Sequence, residues 1–261
     1  MFNEIDFIID ININYKCSRS CFYCYMKTHS AWNTDLEINI NELYEFLYNL
    51  NKNKKLLIKI KGGEPTESKN FNKLIKKLST LKNSKIEIFT HGLFNKDILN
   101  LLNTYPIKVN FSLHLDIFKN RKDFFKFLLN IFKINHKIIN ILKYKKFNNC
   151  QKKIINFLDK YNIEYYISNV HSIRDNQKIN IDNLIQNYTC YYNLINIDKN
   201  QVHIPYCLLN FTTKKTTFSL TDPNLLLILN KIKIKGKKCF KKCKYIKDGD
   251  GYLFDFLKKE I

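Results

Sequence analysis

Residues 7–24 read FIIDININYKCSRSCFYC: an alternating β-branched run that ends in three cysteines within eight residues. Phe7–Asn14 has the period-two pattern of a strand, so Cys17, Cys21 and Cys24 fall on the loop at its C-terminal end. The same grammar repeats outward. Candidate strands follow at Leu56–Lys61, Lys85–Thr90, Lys108–Leu115, Lys137–Tyr144 and Ile163–Val170. Leu43, Phe46, Leu47 and Leu50 mark a helix face between the first two, and Phe71, Leu74, Ile75 and Leu78 the next. Further helices fit Lys96–Thr104, Arg121–Lys133 and Asn149–Tyr161. Strands joined by helical crossovers imply a parallel sheet. Six units fall short of the eight that close a full barrel, so the pattern allows a partly open (β/α)6 barrel or a doubly wound sheet. In both, ligands belong at the C-terminal strand ends.

After residue 174 the pattern changes. Tyr191–Ile197 and Gln201–Cys207 flank Asp198-Lys199-Asn200 as a short hairpin, and Asp222-Pro223 opens a helix through Ile232 with Asp222 as its N-cap. We therefore expect an α/β barrel unit over residues 1–173 and a small, Cys-rich hairpin-plus-helix extension over 174–261.

Composition narrows the class. The 261 residues are 45% hydrophobic with only 6 Gly and 4 Pro, which excludes a collagen-like or globally disordered chain. Apolar runs are too short for a bilayer span, and Glu4, Asp6 and Asp10 interrupt the N-terminal stretch where a signal peptide would be apolar. The expectation is a cytoplasmic protein with no membrane partner. The net charge of +21 rests on 44 basic residues, of which only Arg19, Arg121 and Arg174 are arginine. Base-reading and phosphate-clamping surfaces favour the planar arginine fork, so nucleic acid is not the favoured partner. The nine Lys between Lys231 and Lys247 read as a solvated face.

Eight cysteines without an export signal point to metal binding or chemistry. Three thiolates on one loop can ligate three irons of a [4Fe–4S] cubane and leave the fourth open to a ligand. A zinc knuckle is the rival, although structural zinc commonly takes its cysteines in C-x2-4-C pairs and closes four positions. Cys190, Cys207, Cys239 and Cys243 form a second group that suits an auxiliary cluster or a zinc staple. Cys150, alone at a helix start, reads as a small buried residue. Lys61-Gly62-Gly63-Glu64-Pro65 lies at the end of the second strand. There the two glycines allow close backbone approach to a ligand, and Pro65 keeps Glu64 extended with its carbonyl presented.

Cys17, Cys21, Tyr23 and Cys24, with Gly62-Gly63-Glu64-Pro65, resemble the radical S-adenosylmethionine (SAM) family, whose hallmark is C-x3-C-x-aromatic-C. The resemblance covers roughly residues 7–173 and implies a partial (β/α)6 TIM-like barrel. It implies that Cys17, Cys21 and Cys24 hold a [4Fe–4S] cluster, that SAM chelates the open iron, that the Gly62–Glu64 backbone receives the methionyl amino group, and that the Tyr23 backbone meets adenine. The implied chemistry is reductive cleavage of SAM to methionine and a 5′-deoxyadenosyl radical that abstracts a substrate hydrogen, with an external donor such as flavodoxin or ferredoxin supplying the electron. Thr90-His91-Gly92 parallels the family's Thr-Asn-Gly, with His91 in place of Asn. Ser112 and His114 share one strand face where members place a polar residue against SAM. Tyr144, Asn169 and His171 lie near the ends of strands five and six. The second cysteine group resembles a short twitch or SPASM extension, which implies an auxiliary [4Fe–4S] cluster on Cys190, Cys207, Cys239 and Cys243. The leading expectation is an anaerobic enzyme acting on a peptide or protein side chain, with recognition helped by a partner protein because Cys17 comes too early for a leader-binding domain ahead of it. The alternatives are a nucleotide, sugar or RNA substrate, and a zinc-stapled, non-catalytic nucleic-acid-binding protein.

Overall fold

The computed structural model describes residues 5–21, 24–28, 30–113, 118, 120–143, 148–169, 188–190, 193–204, 216–232, 237–238 and 257–259. Its first part is the expected alternation. Strand β1 (Phe7–Asn12), helix α1 (Ile40–Asn51), β2 (Leu56–Lys61), α2 (Phe71–Leu78), β3 (Ser84–Thr90), α3 (Lys96–Thr104) and β4 (Ile107–Leu113) lead into α4 (Arg121–Lys133), β5 (Lys137–Lys143), α5 (Asn148–Lys160) and β6 (Tyr165–Asn169). All neighbouring pairs from β1 to β6 are parallel. Two bounds are shorter than the pattern suggested. β1 stops at Asn12: Ile13 still donates to Lys61 O of β2, but its carbonyl accepts from the Ile38 amide and Asn14 bridges to Glu37, and β6 starts only at Tyr165.

The sheet does not end with six strands. Strand β7 (Tyr188–Cys190) is followed by β8 (Leu194–Asp198), β9 (Gln201–His203), β10 (Thr217–Ser219), helix α6 (Leu225–Lys231), β11 (Lys237–Lys238) and β12 (Leu257–Lys259). The nine-stranded sheet runs β10-β9-β8-β1-β2-β3-β4-β5-β6, with β8 parallel to β1, while β11-β7-β12 make a separate small sheet. The expected hairpin is therefore present and continues the barrel sheet. Ile195 and Ile197 are fully buried in the same core as Ile9 and Ile11, a core that also takes in Leu225 and Leu229 of α6. Each such buried side chain contributes about 1.5–3 kcal/mol, which is what holds β8 at β1's edge. Lys199 and Asn200 both have positive φ, 48° and 61°, the two-residue turn that matches strand twist. That turn docks on the loop ahead of α1, where Asn39 donates its amide to Asn200 Oδ1 (2.7 Å). The N-cap of α6 is Asn224 and not Asp222. Asp222 stands two residues earlier, accepting from the Asn224 and Leu225 amides, because Pro223 starts a turn that the helix joins only at Leu225.

Alternation splits the sheet into two chemistries. The helix-covered face carries Ile9, Ile11, Ile58, Ile60, Ile88, Val109, Phe111 and Ile139 in one core. The opposite face carries Asp10, Lys59, Glu87 and Lys108 abreast in register, then Asn110, Ser112 and Asn140 toward the C-terminal ends. Asp10 pairs with Lys61 at 2.5 Å, Asn110 donates to Tyr166 Oη at 3.0 Å, and Ser168 donates to Asn140 Oδ1 at 2.6 Å. Opposite charges set side by side let this face stay polar without self-repulsion. Among the described residues, no helix is long and apolar enough to cross a membrane.

Candidate active site

The exit of β1 and the exit of β2 are bonded to each other. Gly63 donates its amide to Asn14 O (3.0 Å) and Glu64 to Lys16 O (2.8 Å). A β-carbon on Gly63 would lie 2.2 Å from Lys16 O, and one on Gly62 would lie 2.4 Å from Asn14 Oδ1 and 2.6 Å from Asn14 O. The two glycines thus serve first to bring the Cys-loop backbone against the β2 exit, where the sequence pattern alone suggests a ligand. Glu64 is extended (φ −131°, ψ 110°), as Pro65 requires. Its carbonyl, however, accepts from Asn14 Nδ2 (2.9 Å) and the Glu67 amide (3.1 Å). An ammonium group only donates, and with the Glu64 carbonyl already accepting twice the acceptors this segment has to offer it are the Gly62 and Gly63 carbonyl oxygens.

Cys17, Cys21 and Cys24 follow on one half-exposed loop, and none is in a disulfide. Burial pushes the Cys17 thiol up to about 12, so it is neutral without a metal, although the Arg19 amide donates to its sulfur (3.4 Å). A bound metal ion deprotonates such a thiol outright. Three cysteine sulfurs on one loop, none in a disulfide, fit an iron–sulfur cluster, and their partial exposure leaves a way in. Arg19 is tied to α4 through Asp123 at 2.9 Å, with only 11% and 19% of the two side chains exposed.

Behind the loop lies a buried polar network that composition does not reveal. The Glu64 carboxylate, 2% exposed, accepts from Thr66 N and Oγ1, from Thr90 Oγ1 (2.6 Å) and from the His91 amide (2.8 Å). It staples the β2 exit to the β3 exit. Glu67, which ends a 3-10 turn over Pro65–Glu67, accepts from the Ser18 amide (2.8 Å), Ser18 Oγ (2.5 Å) and His91 Nε2 (3.3 Å). The Leu93 amide donates to His91 Nδ1 (3.1 Å), so the neutral ring carries its proton on Nε2, toward Glu67. A second proton on Nδ1 must displace that bond, and Glu64 Oε2 at 3.5 Å receives it. Burial pulls His91 down, but the Glu64 charge and the Glu67 hydrogen bond outweigh it and hold His91 above its ordinary 6.5. Burial pushes Glu67 up, and the bonds from His91 and Ser18 outweigh it, leaving Glu67 below its ordinary 4.5.

These shifts set a pH window. A raised histidine contributes stability that is complete below its unfolded value and is lost as pH rises through the folded one; a depressed carboxylate contributes above its unfolded value and loses it as pH falls. The urea midpoint of the metal-free protein is therefore expected to be highest between about 4.5 and 6.5 from this pair, and His91→Asn is expected to flatten the decline on the alkaline side. An unchanged alkaline slope in His91→Asn would contradict the assignment.

The structure brings Cys17, Cys21, Cys24, Gly62, Gly63 and Glu64 to one sheet edge. Ser112 lies two strands away on the polar face of β4, abreast of Asn140. Tyr23, His114, Tyr144, His171, Cys207, Cys239 and Cys243 lie outside the described residues, as do the side chains of Cys150, Asn169 and Cys190. Residue-by-residue reading missed Ser18, Glu67, Asn14 and the Arg19–Asp123 pair. The one available signal was a second carboxylate three residues after Glu64.

The radical SAM superfamily matches residues 11–173, more than half of the chain and the stretch that carries this edge. The chain belongs to the radical SAM superfamily. It is an enzyme of that superfamily, and the family implies a [4Fe–4S] cluster and SAM. A probable GTP 3′,8-cyclase of Methanococcus aeolicus is 33% identical over 111 residues, which cover 40% of this chain and 36% of that protein. The chain thus matches about a third of the length of its curated relative. Among solved structures, anSMEcpe with bound AdoMet shares the fold at TM-score 0.63 and 14% identity, covering 94% of this chain and 88% of that one. Streptococcus suis SuiB, also solved with its precursor peptide SuiA, shares it at TM-score 0.51 and 13% identity for SuiB itself, covering 88% and 67%. Radical SAM partial-barrel architecture is therefore the fold of this chain.

Proposed function

We propose that Cys17, Cys21 and Cys24 hold the [4Fe–4S] cluster of a radical SAM enzyme and that the substrate is a peptide or protein side chain. The observation that carries the site is the seating of the loop that bears these three cysteines, its entry held by Gly63 and Glu64 against the β2 exit. When bound, cluster and SAM supply a 5′-deoxyadenosyl radical that removes a substrate hydrogen. The chain's own residues do the placing. The Gly62 and Gly63 carbonyls receive the methionyl ammonium, the Tyr23 backbone meets adenine, and Ser112 and His114 present polar groups from the end of β4. The polar face of Asn110, Ser112 and Asn140 orients a hydrogen-bonding substrate. An external flavodoxin or ferredoxin delivers the electron.

The peptide reading is supported by the fold shared with SuiB and anSMEcpe, both solved with peptides. A second reading, a nucleotide substrate, is favoured by the 33% identical stretch of the cyclase-named relative. Reconstituted anaerobically and given SAM and dithionite, the protein is expected to form 5′-deoxyadenosine at a rate that GTP leaves unchanged. A GTP-dependent rise would transfer the proposal to nucleotides, and no 5′-deoxyadenosine at all would end both readings.

We also assign residues 1–173 to the catalytic barrel and 174–261 to an extension of twitch or SPASM type, with an auxiliary [4Fe–4S] cluster on Cys190, Cys207, Cys239 and Cys243. The register of β7 and β11 supports this, since it sets Cys190 opposite Lys237, two residues before Cys239 in the chain. Replacing these four cysteines with alanine is expected to remove about four irons, one cubane, while SAM cleavage persists. Zinc in place of that iron would overturn the assignment.

A further inference from the structure

The Cys loop is tethered from three elements. Its entry is bonded to the β2 exit, Arg19 is paired with Asp123 on α4, and Ser18, the residue next to Cys17, is gripped by Glu67. The third tether is the unusual one. A carboxylate that accepts both the amide and the hydroxyl of one residue fixes that residue's backbone and χ1 together. Glu67 is itself fixed, since Oε1 also accepts from His91 Nε2, and His91 is locked by its own amide on Glu64 Oε2 and by the Leu93 amide on Nδ1. His91 is 7% exposed, so it cannot swing away without vacating a packed site.

We propose that Glu67, backed by His91, is a positioning residue that sets the Cys17 arm of the loop before iron arrives. The inference rests on reading Cys17, Cys21 and Cys24 as cluster ligands, and it adds to that reading the residue that orders one of them. Its logic is that of outer-shell partners in metal sites. Glu67 touches no sulfur, yet by holding Ser18 it removes the freedom that Cys17 would lose on ligation. In the metal-free protein the Ser18 amide is bonded to a charged acceptor and is protected from exchange. In the loaded protein the same bond resists the opening through which iron is lost.

The test uses the full chain in both states. Hydrogen exchange of the metal-free protein, resolved at the Ser18 amide, is compared for wild type, Glu67→Ala, Glu67→Gln and Ser18→Ala. Iron release to a chelator is then timed for each loaded protein, with a thermal melt as the folding control. Glu67→Ala is expected to speed Ser18 exchange about tenfold, as loss of a hydrogen bond to a charged group does, and iron release about tenfold, as outer-shell changes do. Glu67→Gln keeps one acceptor oxygen and is expected to recover most of both. Ser18→Ala deletes only the hydroxyl bond of an exposed residue and is expected to fall between, which keeps the test intact if Glu67→Ala does not fold. Unchanged exchange and release in Glu67→Ala overturns the proposal, and so does a folded Glu67→Gln that recovers neither. A wild-type protein that takes up no iron overturns the cluster reading instead, while the exchange result still decides whether Glu67 holds the loop.

Discussion

Replacing Cys17, Cys21 and Cys24 together with alanine is expected to abolish 5′-deoxyadenosine formation and to remove about four irons, one cubane, while the fold survives. On the proposed ligation the loss is total, since the cluster would then have three protein sulfurs and no other described residue at this edge offers a thiolate in their place. Survival of the fold follows from where the cysteines sit. All three are half-exposed, Cys21 packs at the margin of the main core and Cys24 at that of a small cluster of Tyr15, Met26 and Ala31. Trimming such a side chain costs about 1 kcal/mol. The melting temperature of the metal-free variant should therefore stay close to that of the metal-free wild type. The two measurements, product by chromatography and iron by colorimetry, belong on the same preparation. Product formation by the triple variant would remove these cysteines from the chemistry.

Gly63→Ala is expected to cost about 3–5 kcal/mol and to lower iron uptake with it. The added methyl meets backbone on every side: Lys16 O at 2.2 Å, Lys16 C at 2.6 Å and Tyr15 C at 2.8 Å. Nothing there is the flexible end of a side chain, so residues 14–16 must move away from 62–64. That motion breaks two amide hydrogen bonds worth about 1 kcal/mol each and adds the roughly 1–3 kcal/mol of overpacking. It also shifts Cys17, which follows directly on Lys16. Urea unfolding of the metal-free protein reads the first effect, and iron content after reconstitution the second. A variant with wild-type stability would mean that the two loop backbones separate without penalty.

Much of this fold is legible because local rules repeat. Leu56–Lys61, Lys96–Thr104 and Arg121–Lys133 begin and end where the pattern places them. In each case alternation or helical spacing records which side meets the core. The same periodicity puts Cys17 and Gly62 after neighbouring strands, and so at one sheet edge. The glycines were legible as a close approach but not as to what approaches, since a missing β-carbon carries no direction.

Order and type of the barrel elements, and the three cysteines proposed as sulfur donors, come from the chain alone. They depend on residues a few positions apart, whose side chains share a face whatever the rest of the molecule does. Tertiary structure decided what joins distant segments. β8 pairs with β1 across more than 180 residues because Ile195 and Ile197 complete a core that Ile9 and Ile11 began. Glu67 reaches Ser18 across 49 positions because Gly62 and Gly63 let two loops touch. No local pattern encodes either contact. Each exists only where burial and hydrogen bonding in the assembled sheet outweigh the chain entropy of bringing the segments together.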